Sequence, residues 1–307
     1  MKKKILIIGG SGFIGYHLAK RCLDYKWNVT SISSKKPNII RKLKKVNYTI
    51  CDISKINKIK KILKSDYNYV VNLGGYVNHK NKLKTYQSHY LGCKNLCDFF
   101  VNKNIDKFVQ MGSSIENGKQ SSPQKETKNI KYKNVPSTYG RSKLKATNYL
   151  LKLYKKNKFP GIILRLYLAY GPRQDNNRFI PIIINSCLSN KKFDCSEGKQ
   201  YRDFIYIDDV VNVIMKSLKS NIVGEIFNIG TGKPKKIKDI IKKINKLINR
   251  GVPSYGKIKM RKDEIMKLYP NINKAKTKLN WNPKISFEKG LKKTLIYYKK
   301  LYHEKKN

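Results

Sequence analysis

At 307 residues, with 40% hydrophobic and 28% charged residues, the chain is long enough to bury a full core and lies outside the disordered range. No apolar run reaches membrane-spanning length, and the short one after the N-terminal lysines lacks a cleavage site, so a cytoplasmic protein without membrane partners is expected. The net charge of +49 would suit nucleic acid, but the basic residues are spread along the whole chain and only nine of 68 are arginine, the residue whose planar fork reads bases, so nucleic acid is not the expected partner.

In chain order, residues 4–8 (KILII) form an apolar run ending in glycines, the pattern of a buried parallel strand. A helical pattern follows, with Phe13, Ile14, His17, Leu18, Arg21 and Cys22 along one side, and WNVTSIS returns to strand character. That is one β-α-β unit. The alternation continues with VNYTICD, a helix over 54–65, YNYVVNL, a helix near 85–103, KFVQMGS, the helix holding Tyr139 and Lys143, and GIILRLYLAYG as one strand. Such alternation predicts a Rossmann-type α/β fold, a doubly wound parallel sheet covered on both faces. After about 170 the rhythm loosens: a short strand and helix over 201–218, a strand into a glycine turn at GEIFNIGTGKP, a helix over 237–249 and a last helix from about 286. The expected division is a cofactor domain over 1–170 with return segments near 203–230, and a smaller α/β substrate lobe from 171–202 and 231–307. The six cysteines form no CxxC pair and the four histidines no HExxH cluster, so reduced thiols and no metal site are expected.

Directly after the first strand, GGSGFIG places Gly9, Gly12 and Gly15, with Phe13 and Ile14 between the last two, at the start of a helix. Unpaired amides and partial positive charge at a helix N-terminus suit a pyrophosphate, and glycines let the backbone approach it. The expected ligand is a dinucleotide. An acidic residue ending the second strand would hold the ribose hydroxyls of NAD. The chain has Ser33, Ser34, Lys35 and Lys36 there, which suit a 2′-phosphate, so NADP(H) is favoured over NAD(H).

Tyr139 and Lys143 stand four apart on one helix face, so both can enter one cleft. A phenol ordinarily titrates at about 10; a neighbouring ammonium favours the phenolate and brings it toward the working range.

The GxxGxxG spacing together with YxxxK resembles the short-chain dehydrogenase/reductase superfamily, specifically the extended branch acting on nucleotide sugars. CDI (51–53), VVNLGG, GPRQ, YRDFIYIDDV, FNIGTGKP and LNWNPKISFEKGL resemble that branch in order. The resemblance implies cofactor contacts from Asp52 and Ile53, from Leu73, Gly74 and Gly75, and from Tyr139 and Lys143, the lysine reaching the nicotinamide ribose. Aligned on Gly118, Ser113 falls where the branch places the Ser or Thr that orients the substrate oxygen, with Ser114 beside it. Ser113, Tyr139 and Lys143 are thus the implied catalytic set.

The branch's 4,6-dehydratases carry Asp-Glu after that residue, where this chain has Ser114 and Ile115; Glu116 comes one later. A reductase of nucleoside-diphosphate 4-keto-6-deoxyhexoses remains, closest in pattern to CDP-abequose and CDP-paratose synthase-like 4-reductases, with a 4-epimerase retaining NAD as the alternative. Asn117 stands where the reductase pattern has Tyr, and Leu168 where epimerases have a substrate-contacting Asn. A third alternative is a non-catalytic cofactor- or RNA-binding member, which the charge suggests and the complete Ser–Tyr–Lys set opposes. Arg141, Arg165, Arg173, Arg178, Arg202 and Arg261 lie in or beside the family-like segments. By resemblance, Arg202 and Arg261, then Arg178, are the candidates for the substrate's diphosphate, and a homodimer built around the YxxxK helix is implied.

Overall fold

The apolar runs form strands that pack side by side, and a computed structural model describes them within residues 2–260 and 264–304. β1 (Lys4–Ile8) is buried beyond its first residue. α1 (Phe13–Asp24) buries Gly15, Tyr16, Leu18, Ala19 and Cys22. This buried line is rotated from the face that periodicity predicts. On this face an added Cβ at Gly15 would stand 2.3 Å from the Gly9 carbonyl oxygen, so the helix lies directly against the turn before it.

The chain continues through β2 (Asn28–Ser33), β3 (Val46–Ile50), α2 (Ile56–Ile62) and β4 (Tyr69–Asn72). α3 (Lys82–Tyr86) passes through a wide π turn at Gln87–Leu91 into α4 (Gly92–Phe100), followed by β5 (Lys107–Ser113). α5 (Thr138–Asn157) opens on Ser137, whose hydroxyl accepts from the Gly140 amide at 3.0 Å. Then come β6 (Gly161–Leu166), β7 (Leu168–Tyr170), α6 (Phe179–Leu188), β8 (Lys192–Asp194), β9 (Tyr201–Arg202), β10 (Phe204–Tyr206), α7 (Ile207–Lys219) and β11 (Glu225–Ile229). The last elements are β12 (Lys235–Lys236), α8 (Ile237–Ile248), β13 (Val252–Ser254), β14 (Lys267–Leu268), α9 (Asn273–Lys278) and α10 (Phe287–Glu304).

Among the described residues seven strands form one parallel sheet in the order β11-β6-β5-β4-β1-β2-β3, and seven shorter strands form three small sheets. The doubly wound Rossmann-type sheet is therefore present, with the order reversing between β1 and β4. The single strand expected over 161–171 is two. β6 pairs with β11; then the Tyr167 amide donates to the Ile229 carbonyl and the Leu168 amide to that of Asp203, so β7 leaves the sheet to pair with β10.

Two buried aspartates tie the later segments down. Asp203 accepts from the Thr231 amide at 2.8 Å and its hydroxyl at 3.0 Å. Asp209 accepts from the Lys284 and Ile285 amides, each at 2.9 Å. All six cysteines are buried and unpaired, and among the described residues no helix is long and apolar enough to cross a membrane.

Gly15→Ala tests the approach of α1 to its turn. Its Cβ would meet the backbone of Gly9 and Gly10, so the variant should lose about 1–3 kcal/mol in thermal or denaturant unfolding, as overpacking does.

Candidate active site

Where the strand order reverses, the carboxyl ends of β1 and β4 diverge and open a crevice. Gly9 has a φ of +77° and lies so near β4's end that an added Cβ would be 3.1 Å from the Leu73 carbonyl and the Gly74 amide nitrogen. A Cβ on Gly10 would stand 2.4 Å from Ser31 Oγ. The first intrahelical bond of α1 runs from the Tyr16 amide to the Gly12 carbonyl, so the amides of Phe13, Ile14 and Gly15 precede it. A backbone cradle at a helix N-terminus fits a dinucleotide's pyrophosphate.

Around the cradle, Ser33 accepts a 2.7 Å hydrogen bond from the Ser11 hydroxyl of the glycine turn, while Ser34 and Lys35 are exposed. Asp52 is exposed and accepts from the Ser54 amide and hydroxyl. Ile53 is buried, its Cδ1 3.4 Å from where a Gly74 Cβ would be, so the 51–53 segment reaches β4's end.

Ser113 ends β5 and hydrogen-bonds the Tyr139 phenol. α5 lays Tyr139, Lys143 and Thr147 along one face at four-residue intervals. The Lys143 ammonium donates to the Met111 carbonyl at 2.8 Å, and the Thr147 hydroxyl to Glu116 at 2.7 Å. The structure thus brings Ser113, Tyr139 and Lys143 together.

The electrostatics differ from the sequence expectation. Burial pushes the Tyr139 phenol above its ordinary value, with the Ser113 hydrogen bond and the Arg178 charge pulling down and Glu116 pushing up. Burial also pushes Lys143 down, opposed by Glu116 and Cys93. The phenol is therefore raised rather than lowered, because desolvation outweighs the Ser113 hydrogen bond and the Arg178 charge.

Two histidines that the sequence reading passed over frame the phenol. His79 stacks on the Tyr139 ring at 4.0 Å between centroids, 10° from parallel, and His89 meets it edge-on at 4.9 Å. His89 Nε2 donates to the Tyr76 carbonyl at 3.1 Å, and burial followed by the charge of Lys143 holds this imidazole down at about 2, neutral throughout the working range. His79 is lowered by burial, then by Arg178 and Lys143. Their only sequence signal is position, on the segment following β4, where the reversal of strand order puts ligand-facing loops.

Glu116 is wholly buried. It accepts from the Ser113 amide at 2.7 Å and pairs with Arg165 at 3.1 Å, so its carboxylate faces the core. Ser114 is buried beside it. Arg178 opens α6 and is the substrate-arginine candidate whose charge reaches Tyr139. Arg202 is already paired with Glu264 and donates to the Tyr201 carbonyl. Arg261 lies outside the described residues. Arg141 donates to the Val135 carbonyl, Arg173 to that of Ile40, and Arg165 serves the buried pair.

A glycine cradle at the reversal point and a Ser–Tyr–Lys set at the next strand end define a nucleotide-cofactor protein of the dehydrogenase type. Residues 5–230 match the model of the NAD dependent epimerase/dehydratase family. A putative UDP-glucose 4-epimerase of Methanocaldococcus jannaschii is 32% identical, covering 96% of this chain and 98% of its own. The CDP-abequose synthase of Salmonella muenchen is 30% identical, covering 96% and 98%. A solved structure, the UDP-N-acetylglucosamine 4-epimerase of Methanobrevibacter ruminantium, superposes with a TM-score of 0.88 at 25% identity, covering 98% of this chain and 100% of that one. The chain belongs to the NAD dependent epimerase/dehydratase family, within the extended short-chain dehydrogenase/reductases, and is an enzyme.

Gly75 supports the aromatic frame. A Cβ there would stand 2.0 Å from His89 Cε1, so Gly75→Ala should displace the buried imidazole from Tyr139. Turnover should fall roughly 10- to 100-fold, the cost of misplacing a reacting group by about 1 Å, and steady-state kinetics on the folded variant check it.

Proposed function

We propose that the chain reduces the C4 carbonyl of a nucleoside-diphosphate 4-keto-6-deoxyhexose, using NADPH. NADPH bound at the glycine turn would supply the hydride that C4 receives. Tyr139 gives its phenolic proton to the oxygen as the C=O π bond breaks, so the carbonyl becomes a hydroxyl and the phenolate recovers a proton from water. In this reading Ser113 orients the carbonyl oxygen, Lys143 holds the ribose side of the cleft and Arg178 draws the substrate's anionic portion, supported by the charge that Arg178 brings to Tyr139.

The observation that carries this reading is geometric: Tyr139 stands one helical turn from Lys143 on the face of α5 that meets the end of β5 and Ser113, and the upward shift of its phenol is in keeping with a proton donor. An epimerase must first take the proton of a C4 hydroxyl, which needs the phenolate. Two further features support it. Glu116 is turned inward, away from the shuttling role a dehydratase would require of it. At the end of β2 the ribose position offers Ser33, Ser34 and Lys35, which favours the phosphorylated cofactor. The homodimer and the nucleotide-sugar ligand belong to the same proposal. Solved relatives of this fold include a dTDP-glucose 4,6-dehydratase in complex with NAD and an enzyme in complex with NAD+ and UDP. The similarity to a putative UDP-glucose 4-epimerase favours epimerisation with retained NAD as the second reading.

Mixing the protein with NADPH and a panel of nucleotide 4-keto-6-deoxy sugars should give stoichiometric loss of reduced-nicotinamide absorbance with one of them, abolished in Tyr139→Phe. No loss with any, and NAD retained through purification, would favour the epimerase.

The pH profile separates the two independently. A proton donor is active below its pKa, and that of Tyr139 is raised, so reduction should hold through neutral pH and fall only in strongly alkaline solution. A rate that climbs with pH from neutral toward the phenol's pKa would mark the phenolate as the active form.

A further inference from the structure

We propose that Glu116 is the positioning residue of this site, its buried carboxylate fixing the backbone of Ser113 against the helix that carries Tyr139 and Lys143. The inference rests on the reading of Ser113 and Tyr139 as the substrate-facing pair.

Three donors converge on this carboxylate: the Ser113 amide at 2.7 Å, the Thr147 hydroxyl at 2.7 Å and Arg165 Nε at 3.1 Å. Two carboxylate oxygens accept all three. A glutamine would turn an NH₂ donor toward one of them, so the charge and not only the shape is required. Gly112 makes room, since a Cβ there would come within 2.7 Å of Glu116 Oε1. Arg165 is in turn fixed by Asn117 Oδ1 at 2.8 Å and the Thr127 carbonyl at 3.1 Å.

The end of β5 therefore meets α5 at three successive levels of one helix face. Tyr139 meets the Ser113 side chain, Lys143 the Met111 carbonyl, and Thr147 the carboxylate that holds the Ser113 amide. Removing the third level frees the serine backbone to shift relative to the phenol.

The charge acts on both partners as well. Tyr139 is faced by His79 and His89 from the segment after β4, by Arg178 from α6 and by Ser113 from β5; Lys143 is faced by Cys93 from α4. Glu116 raises both Tyr139 and Lys143. Arg165 of β6 is its counter-ion.

The test uses Glu116→Gln and Thr147→Val in the full chain. Steady-state kinetics are run on the nucleotide sugar that the wild type accepts. Tyr139 is titrated by NMR of protein carrying ¹³C-labelled tyrosine, its signal assigned with Tyr139→Phe. Glu116→Gln should lower kcat roughly 10- to 100-fold with KM nearly unchanged, the mark of misplacement rather than lost binding. Tyr139 should titrate at lower pH than in the wild type, because the anion that opposes its ionisation is gone. Thr147→Val, which keeps the charge, should lower kcat less, leave the titration in place and speed hydrogen exchange at the Ser113 amide.

Folded Glu116→Gln with wild-type kcat and an unmoved Tyr139 titration would reduce Glu116 to a turn cap and overturn the proposal. If that variant does not fold, Thr147→Val decides: unchanged Ser113 exchange overturns the proposal and accelerated exchange upholds it. Should the wild type turn over no nucleotide sugar, the proposed reaction fails on its own, while the titration and exchange still decide the role of Glu116.

Discussion

An ion pair shut away from water sets the terms for this protein. Glu116 and Arg165 are both wholly buried, and taking two charges out of water costs several kcal/mol per ion unless geometry and further hydrogen bonds offset it. The offset comes from a polar layer across three strands. Arg165 on β6 lies opposite Gly112 on β5 and Asn228 on β11. Asn117 bridges the layer, accepting from Arg165 and reaching Asn228 Oδ1 at 3.3 Å and the Tyr167 hydroxyl at 3.2 Å. The strand end bearing Ser113 is therefore held by directional bonds rather than by apolar packing alone, which suits a group that must keep its place relative to a reacting atom.

The outline was readable because its cause is local. Apolar runs of four to seven residues, each followed by a helical period, can only bury themselves in a covered parallel sheet, and the glycine turn after Ile8 fixes which end of that sheet takes a ligand. Tyr139 and Lys143 could be paired because helical geometry alone puts them on one face. What escaped the reading depends on residues far apart in sequence. His79 and His89 reach Tyr139 from 60 and 50 positions away, the first in the connection after β4 and the second within the helical segment that follows it, where period shows a buried face but not the distant ring it meets. The break between β6 and β7 is decided by which strand offers the next partner, information held at Asp203 and Ile229. Arg202 illustrates the limit from the other side: its residue type suits a diphosphate, but its partner is Glu264, outside any motif.

The charge balance is explained by how few carboxylates there are. Against 68 basic residues stand 19 acidic ones, and several of those are shared or hidden. Glu225 is approached by Lys128, Lys274 and Lys278, and Glu288 by Lys235 and Lys243. Asp203, Asp209 and Glu116 are buried on backbone amides or an internal arginine. Exposed pairs contribute little each in salt, so the acids that matter most to this fold are the hidden ones.

The late return of β11 carries a consequence for the order of assembly. β6 is laid down by residue 166, but its outer neighbour begins only at Glu225, with Ile162 and Glu225 side by side in the finished sheet. A chain emerging from the ribosome therefore holds β6 as a bare edge while some sixty further residues are made, and an open apolar edge invites pairing with other chains. The polar layer cannot close until Asn228 arrives. The site at the end of β5 is consequently finished by one of the last strands to be synthesised, although every residue of the Ser–Tyr–Lys set lies in the first half of the chain.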